Sequence, residues 1–149
     1  MNSSSSITER ILQIVRERLG DQADQYQYPP PVFVAMKGEF VDLDLKQGTL
    51  TTRFPILEEF LNPYHTLQGG IIAAAVDNTL GPLSLVVAPP NVTRKLELTY
   101  SQPVTLEMSY IQVIGIFLGE SSSRLHFKAD VRSMEGERLA RAKAVHIVV

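Results

Sequence analysis

The chain has 149 residues, 44% of them hydrophobic, and a formal charge of −2. That is enough for one domain with a real core, and the balance shows neither the basic excess of a nucleic-acid binder nor an acidic tail. With no cysteine there is no disulfide, no thiolate metal site and no cysteine nucleophile. His65, His126 and His146 are too far apart for a paired-histidine metal motif, so no metal and no cofactor are expected. The opening Met-Asn-Ser-Ser-Ser-Ser lacks the basic and apolar regions of a signal peptide. Gly81-Pro82 and Pro89-Pro90 interrupt the longest charge-free stretch, so the expectation is a cytoplasmic protein without a membrane span.

Ser6-Ile7-Thr8-Glu9 matches a capping box ahead of Ile7, Ile11, Val15 and Leu19, with Gly20 as a stop. This predicts a helix of about four turns with one apolar stripe. Asp21 to Pro31, ending in three prolines, is predicted irregular or extended. Val41, Leu43 and Leu45 then alternate with polar residues, Gln47-Gly48 turns the chain, and Leu50 to Phe54 returns, which is a hairpin.

Between Glu59 and Arg94 the one charged residue is Asp77. The surrounding segment, Gly69 to Val87, is apolar nearly all round and rich in alanine, which predicts a buried helix that Gly81-Pro82 should bend or end. A carboxylate there is costly to desolvate, so it should be paired, protonated or in use. The helix opens with Gly69-Gly70 after the polar loop Asn62-Pro63-Tyr64-His65-Thr66-Leu67. Free N–H groups at a helix start bind anions or an oxyanion.

Strand alternation then runs to the C-terminus. Leu96, Leu98 and Tyr100 form one strand, Leu106 to Leu118 a second, and Leu125, Phe127, Ala129 and Val131 a third. Met134 to Glu137 turns into the last, ending at Val149. The order is helix, two strands, buried helix, four strands: an α+β domain whose antiparallel sheet of five to six strands curls around one long helix. The whole of 1–149 is read as one domain, with 1–31 as N-terminal helix and linker and 32–149 as core.

In Asn62, Gly69-Gly70 opening an alanine-rich helix, Asp77-Asn78, Thr93 and Thr99-Tyr100-Ser101-Gln102-Pro103, the chain resembles the hotdog-fold acyl-CoA thioesterases of the phenylacetate-pathway kind. The resemblance covers roughly residues 33 to 149. It implies hydrolysis of an acyl-CoA thioester to free acid and CoA. Asn62 and Gln68 would help to hold the thioester, and the Gly69 amide would polarise its carbonyl. Asp77 would be nucleophile or general base, and Thr93 would orient water or the acid. Gly70 and Arg94 are the further substrate-binding candidates. Arg94 and Lys95 could meet CoA phosphates, but neighbouring strand residues face opposite sides, so one at most should do so.

Gln68 departs from the pattern, because the family usually has histidine there. Glutamine still donates a hydrogen bond but carries neither proton nor positive charge. A non-enzymatic acyl or small-molecule binding protein on the same fold is therefore the rival reading. A dehydratase would require a catalytic histidine paired with the acid, and none is placed for it. Simpler roles stand beside the catalytic ones: Asn62 as a turn residue, Gln68 as a helix cap, Thr93 as an ordinary strand threonine. His126 and His146 are read as structural, and Tyr100 as a core or interface aromatic.

One geometric point is independent of resemblance. Gly69 and Asp77 lie about 12 Å apart along a helix rising roughly 1.5 Å per residue. Reacting atoms must approach to about 3–3.5 Å. One carbonyl therefore needs Gly69 from one chain and Asp77 from another, which implies a two-fold homodimer, alone or as a dimer of dimers.

Overall fold

The computed structural model describes residues 3–149. Helix α1 (Ser3–Leu19) starts earlier than the Ser6 capping box predicts, so Ser6 lies inside the helix and not at its cap. Its stripe does bury: Ile11 and Val15 are 0% and 1% exposed in the same core as the rest of the chain. Arg18 ties the helix down, donating to the Val86 carbonyl at 3.3 Å. The stretch predicted to be irregular, Asp21 to Pro31, opens within a 3-10 turn, Gly20–Gln25, and its last proline starts a short helix α2 (Pro31–Ala35). Pro31 sits at the first helical position, where its missing N–H costs nothing.

The hairpin is β1 (Glu39–Asp44) and β2 (Thr49–Pro55). Asp44 closes its turn by accepting from the Lys46 and Gln47 amides at 3.0 Å each. Gly48 adopts φ +65, which glycine does without strain. The remaining strands are β3 (Asn91–Tyr100), β4 (Tyr110–Ser121), β5 (Arg124–Ser133) and β6 (Arg138–Val148). Leu106–Met108 is a 3-10 turn before β4 and not the start of that strand. All neighbours pair antiparallel in one six-stranded sheet, ordered β1-β2-β4-β5-β6-β3. β3, the first strand after the central helix in sequence, is thus at an open edge.

Helix α3 (Gly69–Val87) lies against the concave face of the sheet. It is long and apolar enough to cross a membrane by length and composition, yet more than half of it is buried inside the fold. It also runs through Gly81-Pro82 instead of ending there. Pro82 gives no N–H to the Asn78 carbonyl one turn back, and two residues on Ser84 donates its hydroxyl to the Gly81 carbonyl at 2.6 Å. The helix sits close to the sheet because Gly115 in β4 has no side chain. A Cβ there would come within 2.9 Å of Leu80 Cδ2. A buried hydroxyl pair locks the register: Thr79 donates to the Ala75 carbonyl at 2.8 Å, which leaves the Thr52 hydroxyl to donate to Thr79 at 2.7 Å.

Candidate active site

Asp77 does not lie where its apolar neighbours predict. Gly70 and Asp77 are exposed, and Ala73, Ala74 and Gly81 are partly so. These recur at three- and four-residue intervals, so they form one uncovered stripe of α3. The sheet covers the opposite side, through Ile72, Ala75, Val76, Thr79, Leu80 and Leu83. Within one chain, then, desolvation does not act on Asp77 as the sequence suggests. The stripe borders β3, whose residues are mostly exposed as well.

Two side chains of β3 reach across to α3, one near each end. Thr93 donates to Asp77 Oδ1 at 3.0 Å. Tyr100 donates to the Gly69 carbonyl at 2.8 Å. The second bond fixes the plane of the Gly69–Gly70 peptide, and with it the direction of the Gly70 N–H. The Gly69 and Gly70 amides make no hydrogen bond among the described residues, as the first turn of a helix dictates. Gly69 is also a steric requirement, because a Cβ there would stand 3.2 Å from the Tyr100 ring, whereas Gly70 has open space. A cleft of about 310 Å³ opens beside this helix start, lined by Leu67, Gly69, Ile72, Tyr100, Pro103 and Val104.

Gln68 precedes the helix in an extended conformation, φ −60 and ψ 137, and its exposed side chain caps nothing. Its backbone carbonyl accepts from the Ile71 and Ile72 amides. Asn62 staples its own loop. Its Oδ1 accepts from the Tyr64 and Thr66 amides at 2.9 and 3.2 Å, and its Nδ2 donates to the Thr66 hydroxyl at 2.9 Å. These bonds describe a turn residue that shapes the approach to Gly69. Arg94 is exposed at a bulge, where the register of β3 against β6 shifts between Thr93 and Lys95. The strict alternation that separates Arg94 from Lys95 therefore does not hold there. Lys95 pairs with Glu97 at 3.1 Å.

The structure thus joins Asp77 with Thr93, and Gly69 with Tyr100, as two half-sites on one helix. It also brings in Asn91, which sequence reasoning passed over, and His146, which it read as structural. His146, 1% exposed on β6, lies opposite Thr93 in the sheet. Its Nε2 is 3.4 Å from the Thr93 hydroxyl, and its Nδ1 is 2.8 Å from Asn91 Oδ1. Burial pushes this imidazole below its ordinary value, and the Asp77 charge partly offsets that. The signal available in sequence was a histidine at an inward position of an apolar strand. Nothing local says what it meets. Among the described residues no three His, Asp or Glu side chains converge as metal ligands.

The fold matches solved structures. A phenylacetic acid degradation-related protein of Ralstonia eutropha JMP134 superposes with TM-score 0.76 at 21% identity, over 91% of this chain and 98% of that one. The PaaI protein of the E. coli phenylacetic acid degradation operon gives 0.74 at 9% identity, over 95% of each. A hypothetical thioesterase of Streptococcus pneumoniae TIGR4, solved with coenzyme A, gives 0.69 at 17%, over 75% of this chain and 85% of that one. The chain has the hotdog fold of these structures, as its sequence motifs imply. No protein-family model matches it, and no functionally curated protein does.

Proposed function

We propose that the chain is an acyl-CoA thioesterase working as a cytoplasmic homodimer, with each site shared between two chains. The observation that carries this reading is the Thr93–Asp77 hydrogen bond on the uncovered stripe of α3, about two turns along the same helix from its free-amide start. Both half-sites open toward the same edge strand, β3. β3 presents ten residues at the sheet edge, an invitation to pair with another β3. A two-fold axis through the middle of β3 sets the Thr93 end of one chain beside the Tyr100 end of its partner. Thr93 holds Asp77 and Tyr100 holds Gly69, so this pairing brings Asp77 of one chain to the helix start of the other.

In such a site the thioester oxygen rests on the Gly69 amide, where the helix dipole favours negative charge. Asp77 takes a proton from water as the water oxygen bonds to the carbonyl carbon. The carbonyl π pair moves to oxygen and is held by the amide. When it returns, the C–S bond breaks, and the departing thiolate takes the proton from Asp77. Direct attack by the carboxylate, through an anhydride that water opens, uses the same geometry. Arg94, exposed beside Thr93 at the edge, is suited to a CoA phosphate.

Release of free thiol from a panel of acyl-CoA thioesters tests the reading. Wild type should hydrolyse at least one, and Asp77→Asn should fall by far more than about tenfold, or ~1.4 kcal/mol of barrier. Asp77→Asn retaining a tenth of the rate would remove Asp77 from the chemistry. The exposed, unbonded amide of Gln68 favours the second reading, a non-enzymatic acyl binder. Tight acyl-CoA binding with no thiol released from any substrate would establish that one instead.

A further inference from the structure

We propose that His146 is a positioning residue of this site, coupled to Asp77 through the Thr93 hydroxyl and held in one tautomer by Asn91. The inference rests on the thioesterase reading for its role in turnover, but the coupling itself stands on geometry.

Four side chains are linked in a line, Asn91, His146, Thr93 and Asp77, with His146 its buried member. Asn91 sends its amide hydrogens to the Pro89 carbonyl at 2.8 Å and the Ser84 carbonyl at 3.4 Å. Its Oδ1 therefore faces the imidazole and can only accept, so His146 Nδ1 carries the proton. Nε2 is left with a lone pair aimed at Thr93. Thr93 has a single hydrogen and two acceptors, Asp77 Oδ1 at 3.0 Å and His146 Nε2 at 3.4 Å. A charged carboxylate is the stronger acceptor. At rest the hydrogen points to Asp77, and Nε2 keeps only the long contact.

Protonation of Asp77 reverses the line without moving a heavy atom. The carboxyl O–H then donates to Thr93 Oγ1, and the threonine hydrogen swings to Nε2. Each group regains a partner, so the imidazole stabilises the form of Asp77 that exists while water attacks. Passing the proton on is also balanced: Asp77 gives its proton to Thr93 Oγ1, which gives its own to Nε2. The resulting imidazolium donates to Asn91 and Thr93. Around His146, Asn91 and Thr93 of β3 meet its two nitrogens, Leu125 faces it from β5, the Phe127 ring lies 4.7 Å from its own, and the Asp77 charge reaches it from α3. Among the described residues, the Asp77 carboxylate is the charge that raises its proton affinity against the effect of burial.

The test has two arms. In the first, histidine-labelled protein is titrated by NMR as wild type, Asp77→Asn and Thr93→Val. The neutral ring should carry its proton on Nδ1, and both substitutions should lower the proton affinity of His146 by a factor of about 3 or more. Thr93→Val leaves the charges in place and cuts only the hydroxyl link, so an unchanged titration in that variant overturns the proposal. A neutral ring protonated on Nε2 does the same. In the second arm, His146→Asn can still donate to Asn91 but stops short of Thr93. Its kcat should fall about tenfold or more with KM within about twofold, and its pH–kcat profile should change shape. Thr93→Val, which leaves the core untouched, should reproduce this if His146→Asn fails to fold. A lower rate with an unaltered profile would mean that His146 serves stability alone. If wild type hydrolyses no thioester, the functional reading fails, while the NMR arm still decides the coupling.

Discussion

Gly69 and Gly70 are adjacent, chemically identical and on the same helical turn, yet alanine should act differently at each. At Gly70 the new methyl meets nothing within 4 Å, so the change removes only the backbone freedom of glycine. That is worth about 0.5–1 kcal/mol in a helix interior, somewhat less in a first turn. At Gly69 the same gain is opposed. The methyl would stand 3.2 Å from Tyr100 Cζ and Oη, so the ring must move by a few tenths of an ångström. Tyr100 is half exposed and free to move outward, but moving costs its 2.8 Å bond to the Gly69 carbonyl. A hydrogen bond of that kind contributes about 1 kcal/mol. The propensity gain is common to both variants and cancels between them. Gly69→Ala should therefore melt below Gly70→Ala by about 2–4 °C, the shift that ~1 kcal/mol produces in a chain of this size. Gly69→Ala should also lose much more activity, because the peptide that Tyr100 holds belongs to the helix start. Differential scanning calorimetry at one protein concentration, with thiol-release rates on the same samples, reads both quantities. Variants that melt within a degree of each other and turn over alike would show that Tyr100 neither crowds nor orients Gly69.

Three further outcomes are expected. Gly69→Pro suits the first helical position, and the extended Gln68 before it tolerates proline, so this variant deletes one N–H and little else beyond the Tyr100 contact. Mixed with Asp77→Ala, two inactive chains should regain about a quarter of wild-type activity, since half the dimers are mixed and each has one intact site; heterodimers shown to form but inactive would refute site sharing. For pH, burial holds His146 below 6.5, so as pH falls the unfolded chain takes up its proton first. The stability contributed by neutral His146 is full above about pH 6.5 and is lost as pH falls below it. Urea midpoints should show that slope in wild type and not in His146→Asn. In the buried hydroxyl pair, Thr79→Val strands the Thr52 hydroxyl and should cost about 1–3 kcal/mol, whereas Thr52→Val leaves Thr79 bonded to Ala75 and should cost about 1 kcal/mol or less. Equal losses in urea unfolding would contradict the donor assignment.

Much of this protein is legible in one dimension. The stripe of Ile11 and Val15, the alternation of the strands and the eight-residue spacing from Gly69 to Asp77 are local periodicities, set by how a helix or strand turns its side chains. The order of elements follows from them, and so does the expectation that a shared site would draw on a second chain, because helix rise is a constant. Local rules misplaced the start of α1, where the Ser6 box lies inside a longer helix, whereas α3 spans the Gly69–Val87 run as read, with Pro82 inside it and not at its end. Burial of Asp77 could not be read from its apolar neighbours. Those neighbours face the sheet, while Asp77 lies on the stripe that the sheet leaves open. Nor could a run of sequence show that His146 meets Thr93. They are 53 positions apart, and β3 and β6 become neighbours only because the chain crosses the sheet to its far edge. Periodicity decides which way a side chain points, but what it points at depends on strand order, and that is decided by the packing of the whole sheet around one helix.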